Sequence, residues 1–334
     1  MEPHMNEVVE TFCDHLQKRF VYPGTLCDLD EWQAYCKMRR CIDLLGICGQ
    51  MPWLDHCLDK NLFYALGPPI ISYVTKIAIE ALTARLPGEH AACTNENPDF
   101  LQYFIESKTS HPEIVDESTI IGHLLLNLIA GADTTDITMK ALFYYCLKDQ
   151  RVWKRLESII REHVSPNTTC SHATARALPY LEATVRETLR CHPAVSMGLK
   201  RIVPEGGLVL PYGTVVPAGT FVGINIYIVG RNKGIFGADA DEFRPDRWLQ
   251  GENEWRGLQG KDAALERGEL GLCLMEVHKV VPSVILRFDV ELADPNEKWW
   301  MCSRWFFRTI GIVCKLKARR KQPGEHSPSR ARRE

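Results

Sequence analysis

The chain has 334 residues, enough for one large domain or two ordinary ones to bury a core. A composition of 45% hydrophobic and 25% charged residues belongs to a globular protein and excludes an extended disordered one. A formal charge of −2 gives no bulk electrostatic reason to expect a nucleic-acid partner. The thirteen cysteines are scattered, odd in number and free of C-x-x-C spacing. With no signal-peptide pattern at the start, they read as reduced thiols of a cytosolic or cytosol-facing protein. The longest apolar run, "LLLNLIAGA", is far short of a membrane span, so no anchor is expected in this chain.

The first half is helical in pattern. "MNEVVETFCDHLQKRF" places Val8, Val9, Phe12, Leu16 and Phe20 on roughly one face. "CIDLLGICGQMPWLDHCL" predicts a helix running into a turn. "GPPIISYVTKIAIEALTARL" predicts a helix from Pro68 or Pro69 to Leu86, followed by loop through "GEHAACTNENP". The longest element should open at Asp116 or Ser118, with apolar residues all round through Leu128, as a fully buried central helix. A break near Lys148 and a cap at Asp149 predict a second helix to Val164.

"SPNTTCSHATAR" reads as loop, and its sequon at Asn167 as a chance match. "LPYLEATVRETLRCHP" predicts a helix stopped by Pro193. The runs "GLKRIV", "GLVL", "GTVV" and "TFVGINIYIV" predict strands of a small antiparallel sheet. A helix from Leu274 to Phe288 and late strands at "FDVELA" and "RTIGIVCKLKA" follow. The tail carries eight Lys or Arg against two Glu from Lys315 onward and reads as a basic disordered end. The domain reading is one unit over 1–317 with a tail over 318–334.

Three groups of residues carry chemistry. "AGADTT" at 130–135 is a poor choice for a helix interior: Gly131 permits close approach, and Thr hydroxyls bonding back to carbonyls bend a helix. Buried Asp133 needs a partner. Glu187 and Arg190, three apart, share a helix face, and Arg247 of "FRPDRW" can join them in a buried network.

The order and spacing of these motifs resemble the cytochrome P-450 family of haem-thiolate monooxygenases. The stretches "LPYLEATVRETLRCHPAVSMGLKRIVPEGG" and "MEVHKVVPSVILRFDVELADPNEKW" look like its fungal branch that includes pisatin demethylase. The resemblance covers residues 5 to 317 and implies a mainly α fold with a small antiparallel β region, an incomplete P-450 fold. It implies haem as cofactor, O₂ and NADPH as co-reactants, an NADPH-cytochrome reductase as partner, and a small hydrophobic substrate, in fungal secondary metabolism. Asp133 and Thr134 inherit proton delivery; Glu187, Arg190 and Arg247 the structural triad; Arg201 and Arg231 the propionate side, with Gly230 where relatives commonly carry His. The family usually faces the cytosol from the endoplasmic reticulum; without an anchor, this chain is expected to be cytosolic or peripheral.

The resemblance also predicts a departure. In relatives a Phe-x-x-Gly-x-Arg-x-Cys-x-Gly loop supplies the thiolate ligand of iron nine residues before the Glu equivalent to Glu276. Here that position is Arg267, and no cysteine lies between Cys191 and Cys273. An arginine offers iron no lone pair. Cys273 comes six positions later, roughly 9 Å along a helix, and is the remaining candidate metal ligand. Together with missing front and middle segments, this leaves a second expectation open: a non-catalytic P-450 remnant that does not bind haem normally.

Overall fold

The computed structural model describes residues 2–29, 72–85, 99–165, 169–249, 269–296, 298–303 and 306–319. The expected helix at 41–58, the Pro68 start, the loop at 88–98, Arg267 and most of the basic tail lie outside them.

Helix α1 (Glu2–Leu16) runs into a π-helical turn, Gln17–Val21, and the short strand β1 (Cys27–Asp28). Val9, Cys13, Leu16 and Phe20 are buried, each contributing roughly 1.5–3 kcal/mol of burial free energy. Val8 stands out at 61% exposed, so the inward face is one residue narrower than the pattern predicts. Helix α2 (Ser72–Thr83) is followed by α3 (Phe100–Ser110), which the pattern of turn residues did not reveal. Asp99 starts α3 by accepting the Gln102 backbone N–H at 2.9 Å.

Helix α4 (Glu117–Lys148) is the long axis of the fold. Asp116 caps it, accepting from the Thr119 amide at 2.8 Å. It is continuous through 130–135, because Thr134 Oγ1 returns its hydrogen bond to the Ala130 carbonyl at 2.7 Å without interrupting the ladder. The expectation of burial all round fails at its first half: Leu126 is 57% and Leu128 38% exposed. Before Asp133 only Ile120 is fully buried among the described residues, in a small cluster with Leu82 and Leu101; from Asp133 onward Ile137, Leu142, Phe143 and Leu147 are buried.

Asp149 caps α5 (Gln150–His163). The segment read as loop contains a short helix, α6 (His172–Arg176), because Ser171 accepts the Thr174 amide and seeds one turn. Helix α7 (Pro179–Cys191) opens with Pro at its first position, where the missing N–H costs nothing. Strands β2 (Arg201–Ile202), β3 (Leu208–Val209), β4 (Val215–Val216) and β5 (Phe221–Val222) form two separate ladders, β2 with β5 and β3 with β4. The apolar run after β5 does not continue as strand: Asn225 caps the turn α8 (Ile226–Val229), and α9 (Lys233–Phe236) follows.

A 3-10 turn, Pro245–Trp248, precedes α10 (Glu269–Arg287), described from Glu269 and so placing Cys273 inside the helix rather than before it. Strands β6 (Phe288–Leu292), β7 (Trp300–Ser303), β8 (Phe307–Ile310) and β9 (Val313–Ala318) close the chain. Strand β9 lies between β1 and β6, pairing Cys314 with Cys27 and also with Leu292. Gly311, at φ +91°, makes the turn from β8 to β9, a conformation other residues rarely adopt. The main core joins α1, β1, the second half of α4, α5, α6, α7, α10, β6 and β9. The architecture is therefore mainly α with small antiparallel sheets.

Candidate functional site

Glu187, Arg190 and Arg247 meet in the interior. The Glu187 carboxylate, wholly buried, accepts from Arg190 Nε and Nη2 at 2.8 Å each and from Arg247 Nε at 2.9 Å. The Arg244 amide at 2.7 Å and Trp248 Nε1 at 2.9 Å complete five donors. Burial pushes this carboxyl up, but the two guanidiniums and the Arg244 amide outweigh burial and hold it below its ordinary value. The guanidiniums then spend their outer N–H groups on main-chain carbonyls: Arg190 on Gly230, Ala240 and Glu242, Arg247 on Phe236 and Asp239. The network thus ties α7 to the meander over 230–248.

Gly230 fits here for a close-approach reason. A Cβ at this position would stand 2.5 Å from the Arg190 carbonyl oxygen, so no larger residue fits without moving backbone. Arg231 donates to the Cys191 carbonyl at 2.7 Å and lies over the Tyr227 ring at 3.7 Å, capping α7. Arg201 is exposed and bonds the Lys200 carbonyl.

A cavity of about 1310 Å³ lies between α4 and α10 and reaches α2, α6 and the end of α7. Its wall is mainly apolar, with Leu124, Leu128 and Ala130 from α4 and Leu274 and Val277 from α10. Gly131 borders it, and nothing stands within 4 Å of where its Cβ would be, so a guest can reach the α4 backbone there. Thr134, Thr135 and Thr138 give the wall its polar edge, with His172 and Arg176 from α6. Neither Arg201 nor Arg231 borders this space.

Asp133 does not face the cavity. Its carboxylate accepts from Arg308 Nη2 of β8 at 3.1 Å, both groups buried. Burial raises its pKa above the usual carboxylate range against the opposing pull of Arg308. Glu276 is likewise raised by burial. Thr134 and Cys273 face one another across the helices at 3.9 Å between Oγ1 and Sγ.

That separation tests the fit of a haem. A macrocycle between a ligating cysteine sulfur and a threonine on its other face would need the two atoms apart by a metal–sulfur bond plus a van der Waals contact, well beyond direct contact. At 3.9 Å the two side chains touch instead, so the residues in this packing do not fit haem between Thr134 and Cys273. The described residues contain no cluster of three or more metal-ligating side chains that could hold an ion.

Comparison with known proteins identifies the lineage of this framework. The family model for cytochrome P450 matches residues 70–263, more than half of the chain. The chain belongs to the cytochrome P450 family. The matched span contains the 130–135 motif, the triad and Arg231, and ends before Arg267 and α10. Among the relatives, cytochrome P450 monooxygenase cfoH of Aspergillus candidus is 36% identical over 96% of this chain and 67% of its own length. Cytochrome P450 monooxygenase cicH of Emericella nidulans is 32% identical over 95% of this chain and 71% of its own. Cytochrome P450 monooxygenase mpaDE of Penicillium roqueforti is 32% identical over 83% of this chain but only 34% of its own length. The family is a haem family; no helix among the described residues is long and apolar enough to cross a membrane.

Two buried ionisable residues beside the site escaped sequence reasoning. His278, fully buried on α10, faces acceptors with both ring nitrogens, the Leu274 carbonyl at 2.7 Å and Glu182 at 3.0 Å. Burial pushes Glu182 up, but His278 and Arg186 prevail and hold it at about 2. Lys279, also fully buried, reaches Asn6 at 2.6 Å, Glu2 at 2.8 Å and the Cys170 carbonyl at 3.0 Å. A polar residue in an apolar helical run was the available signal, but only packing names its partner.

Proposed function

We propose that this protein acts on a small hydrophobic molecule held in the α4–α10 cavity, as a haem-dependent monooxygenase of the cytochrome P450 family. The co-reactants in this reading are O₂ and NADPH, the latter through a cytochrome reductase, and the setting is fungal secondary metabolism. The observation that carries it is the apolar cavity bordered by Gly131 and Thr134, on a chain whose relatives are named monooxygenases. A bound haem would supply the oxidising power; the chain's own residues supply the rest. The apolar wall excludes water and selects an apolar guest. Thr134 Oγ1, on the cavity wall, is the proton-handling group in this reading, and Asp133, turned from the cavity onto Arg308, could join it only by leaving that pair. Glu187, Arg190 and Arg247 hold the α7 side rigid; Arg201 and Arg231, the basic groups this reading assigns to the propionate side, stand outside the cavity wall, Arg231 on the Cys191 carbonyl.

The contact between Thr134 and Cys273 favours a second reading: a non-catalytic P450 that keeps the cavity but does not ligate iron through sulfur. Arg267 at the expected ligand position points the same way. One experiment separates the two. Purified protein is titrated with haem, reduced and exposed to carbon monoxide. A thiolate-type absorption band that disappears in Cys273→Ser supports the monooxygenase with Cys273 as ligand. No such band, with retained binding of an apolar fluorescent probe, leaves the second reading. Loss of probe binding as well as haem binding defeats both.

A further inference from the structure

The reaction proposed above leaves a buried pair of thiols unused. Cys27 of β1 and Cys314 of β9 occupy directly opposite positions in the antiparallel register, and both are fully buried. No other two cysteines among the described residues face one another in a strand pairing. Opposite residues of an antiparallel pair turn their side chains to the same face of the sheet. The Leu29 amide donates to the Ile312 carbonyl at 2.9 Å, which makes these two a hydrogen-bonded pair. Such pairs alternate along a ladder, so Cys27 and Cys314 form the next one, with Cα atoms about 5.5 Å apart. A disulfide takes Cα atoms about 5.5–6 Å apart, with Cβ atoms about 1 Å closer than in an unlinked pair. Burial pushes the Cys314 thiol up to about 12, and Cys27 pushes the same way from across the ladder.

The two thiols differ in how they are held. Cys314 lies on the central strand, whose other edge pairs with β6 over Phe288–Leu292. Strand β1 is a two-residue edge strand, the kind of element that opens locally while the core stays folded. Opening brings Cys27 to solvent and leaves Cys314 in the sheet. Reclosing needs only the edge strand to give the last ångström. The chain before β1 is α1, whose Glu2 and Glu10 hold Lys279 and Arg287 of α10. A covalent clasp on β1 therefore steadies the element that braces one wall of the cavity.

We propose that Cys27 and Cys314 are an oxidative modification site, closed to an intrachain disulfide by a low-molecular-weight disulfide such as oxidised glutathione. With β1 open, the Cys27 thiol loses its proton and its sulfur attacks one sulfur of the small disulfide. That S–S bond breaks, and the departing thiolate takes up the proton. As β1 closes, Cys314 loses its proton in turn and attacks the Cys27 sulfur, and the second small thiolate leaves and is protonated. The protein gives up two electrons and two protons, and one small disulfide becomes two small thiols.

The test is equilibration of the full chain in glutathione buffers running from reduced to oxidised, then blocking of the remaining thiols, peptide mapping and amide exchange. Oxidised wild type yields the Cys27–Cys314 linked peptide as its main cross-link. Amide exchange over 22–29 slows by about tenfold or more, and dithiothreitol reverses both changes. Cys27→Ala, a smaller residue at the sheet edge, gives neither change, with circular dichroism as in wild type. If that variant does not fold, the linked peptide in wild type still decides. Absence of the linked peptide in every buffer overturns the proposal. So does a link that forms only in urea, a mixed disulfide that stays on Cys27, or a main cross-link between other cysteines.

Discussion

Replacing Glu187 by alanine should be among the most damaging single changes in this protein. The carboxylate is wholly buried and faces two guanidiniums that are themselves nearly buried. Removing it strands both charges, and breaking a buried pair in this way costs about 3–5 kcal/mol. The Arg244 amide and the Trp248 indole N–H also lose their acceptor, at about 1–3 kcal/mol each if water does not replace it. These terms overlap because water can enter the space left behind, so the expected loss is about 4–6 kcal/mol. Against a typical total of about 5–15 kcal/mol, that leaves little folded protein. Deleting the guanidiniums is no remedy, because they serve the carbonyls of Phe236, Asp239, Ala240 and Glu242. Urea unfolding followed by far-UV circular dichroism reads the loss directly. Glu187→Gln, which keeps an oxygen acceptor, should fall between wild type and Glu187→Ala. Because the folded carboxyl lies below its ordinary value near 4.5, its contribution is present above that pH and is lost as pH falls through the depressed value. The Gln variant should accordingly show a shallower acid limb. A loss below about 1 kcal/mol in Glu187→Ala would refute the account of a buried, charge-compensated network.

His192 is fully buried, bonds the Phe307 carbonyl at 2.7 Å through Nε2, and is held by burial at about 4. Its stabilising contribution is present above the ordinary value of 6.5 and is lost as pH falls toward 4, in all roughly 3 kcal/mol; His192→Gln should flatten stability measured between those pH values. Gly230→Ala should cost about 1–3 kcal/mol of stability, read as a lower urea midpoint, since its Cβ meets the Arg190 carbonyl oxygen at 2.5 Å; an unchanged midpoint would contradict the close packing. Lys279→Met should loosen α1 by removing its bonds to Asn6 and Glu2, about 1–3 kcal/mol, seen as faster amide exchange over 2–16 than over α7.

Local chemistry made much of this protein legible in advance. Asp116 and Asp149 marked helix starts because short side-chain acceptors satisfy the first free amides wherever they occur. Glu187 and Arg190 were readable as a pair because three residues of helix set the distance, and family order extended the pair to Arg247. Other features lay beyond local rules. Nothing in "TFVGINIYIV" distinguishes strand from a capped turn until Asn225 finds the Ile228 amide. The exposure of Leu126 and Leu128 depends on which elements cover the first half of α4, so their hydrophobicity predicted burial wrongly.

What the sequence by itself determined is therefore what short-range geometry and composition dictate: helix periods and caps, the triad's helical pair, and the absence of a cysteine at position 267. Only the tertiary structure decided which buried charges found partners. Asp133 met Arg308 from a strand 175 residues away, and Lys279 met Glu2 and Asn6 at the start of the chain. It also set Thr134 against Cys273, the contact on which any place for iron depends. The reason is physical: a buried polar group must be satisfied, but the partner is chosen by how distant elements pack, and no local pattern records that choice.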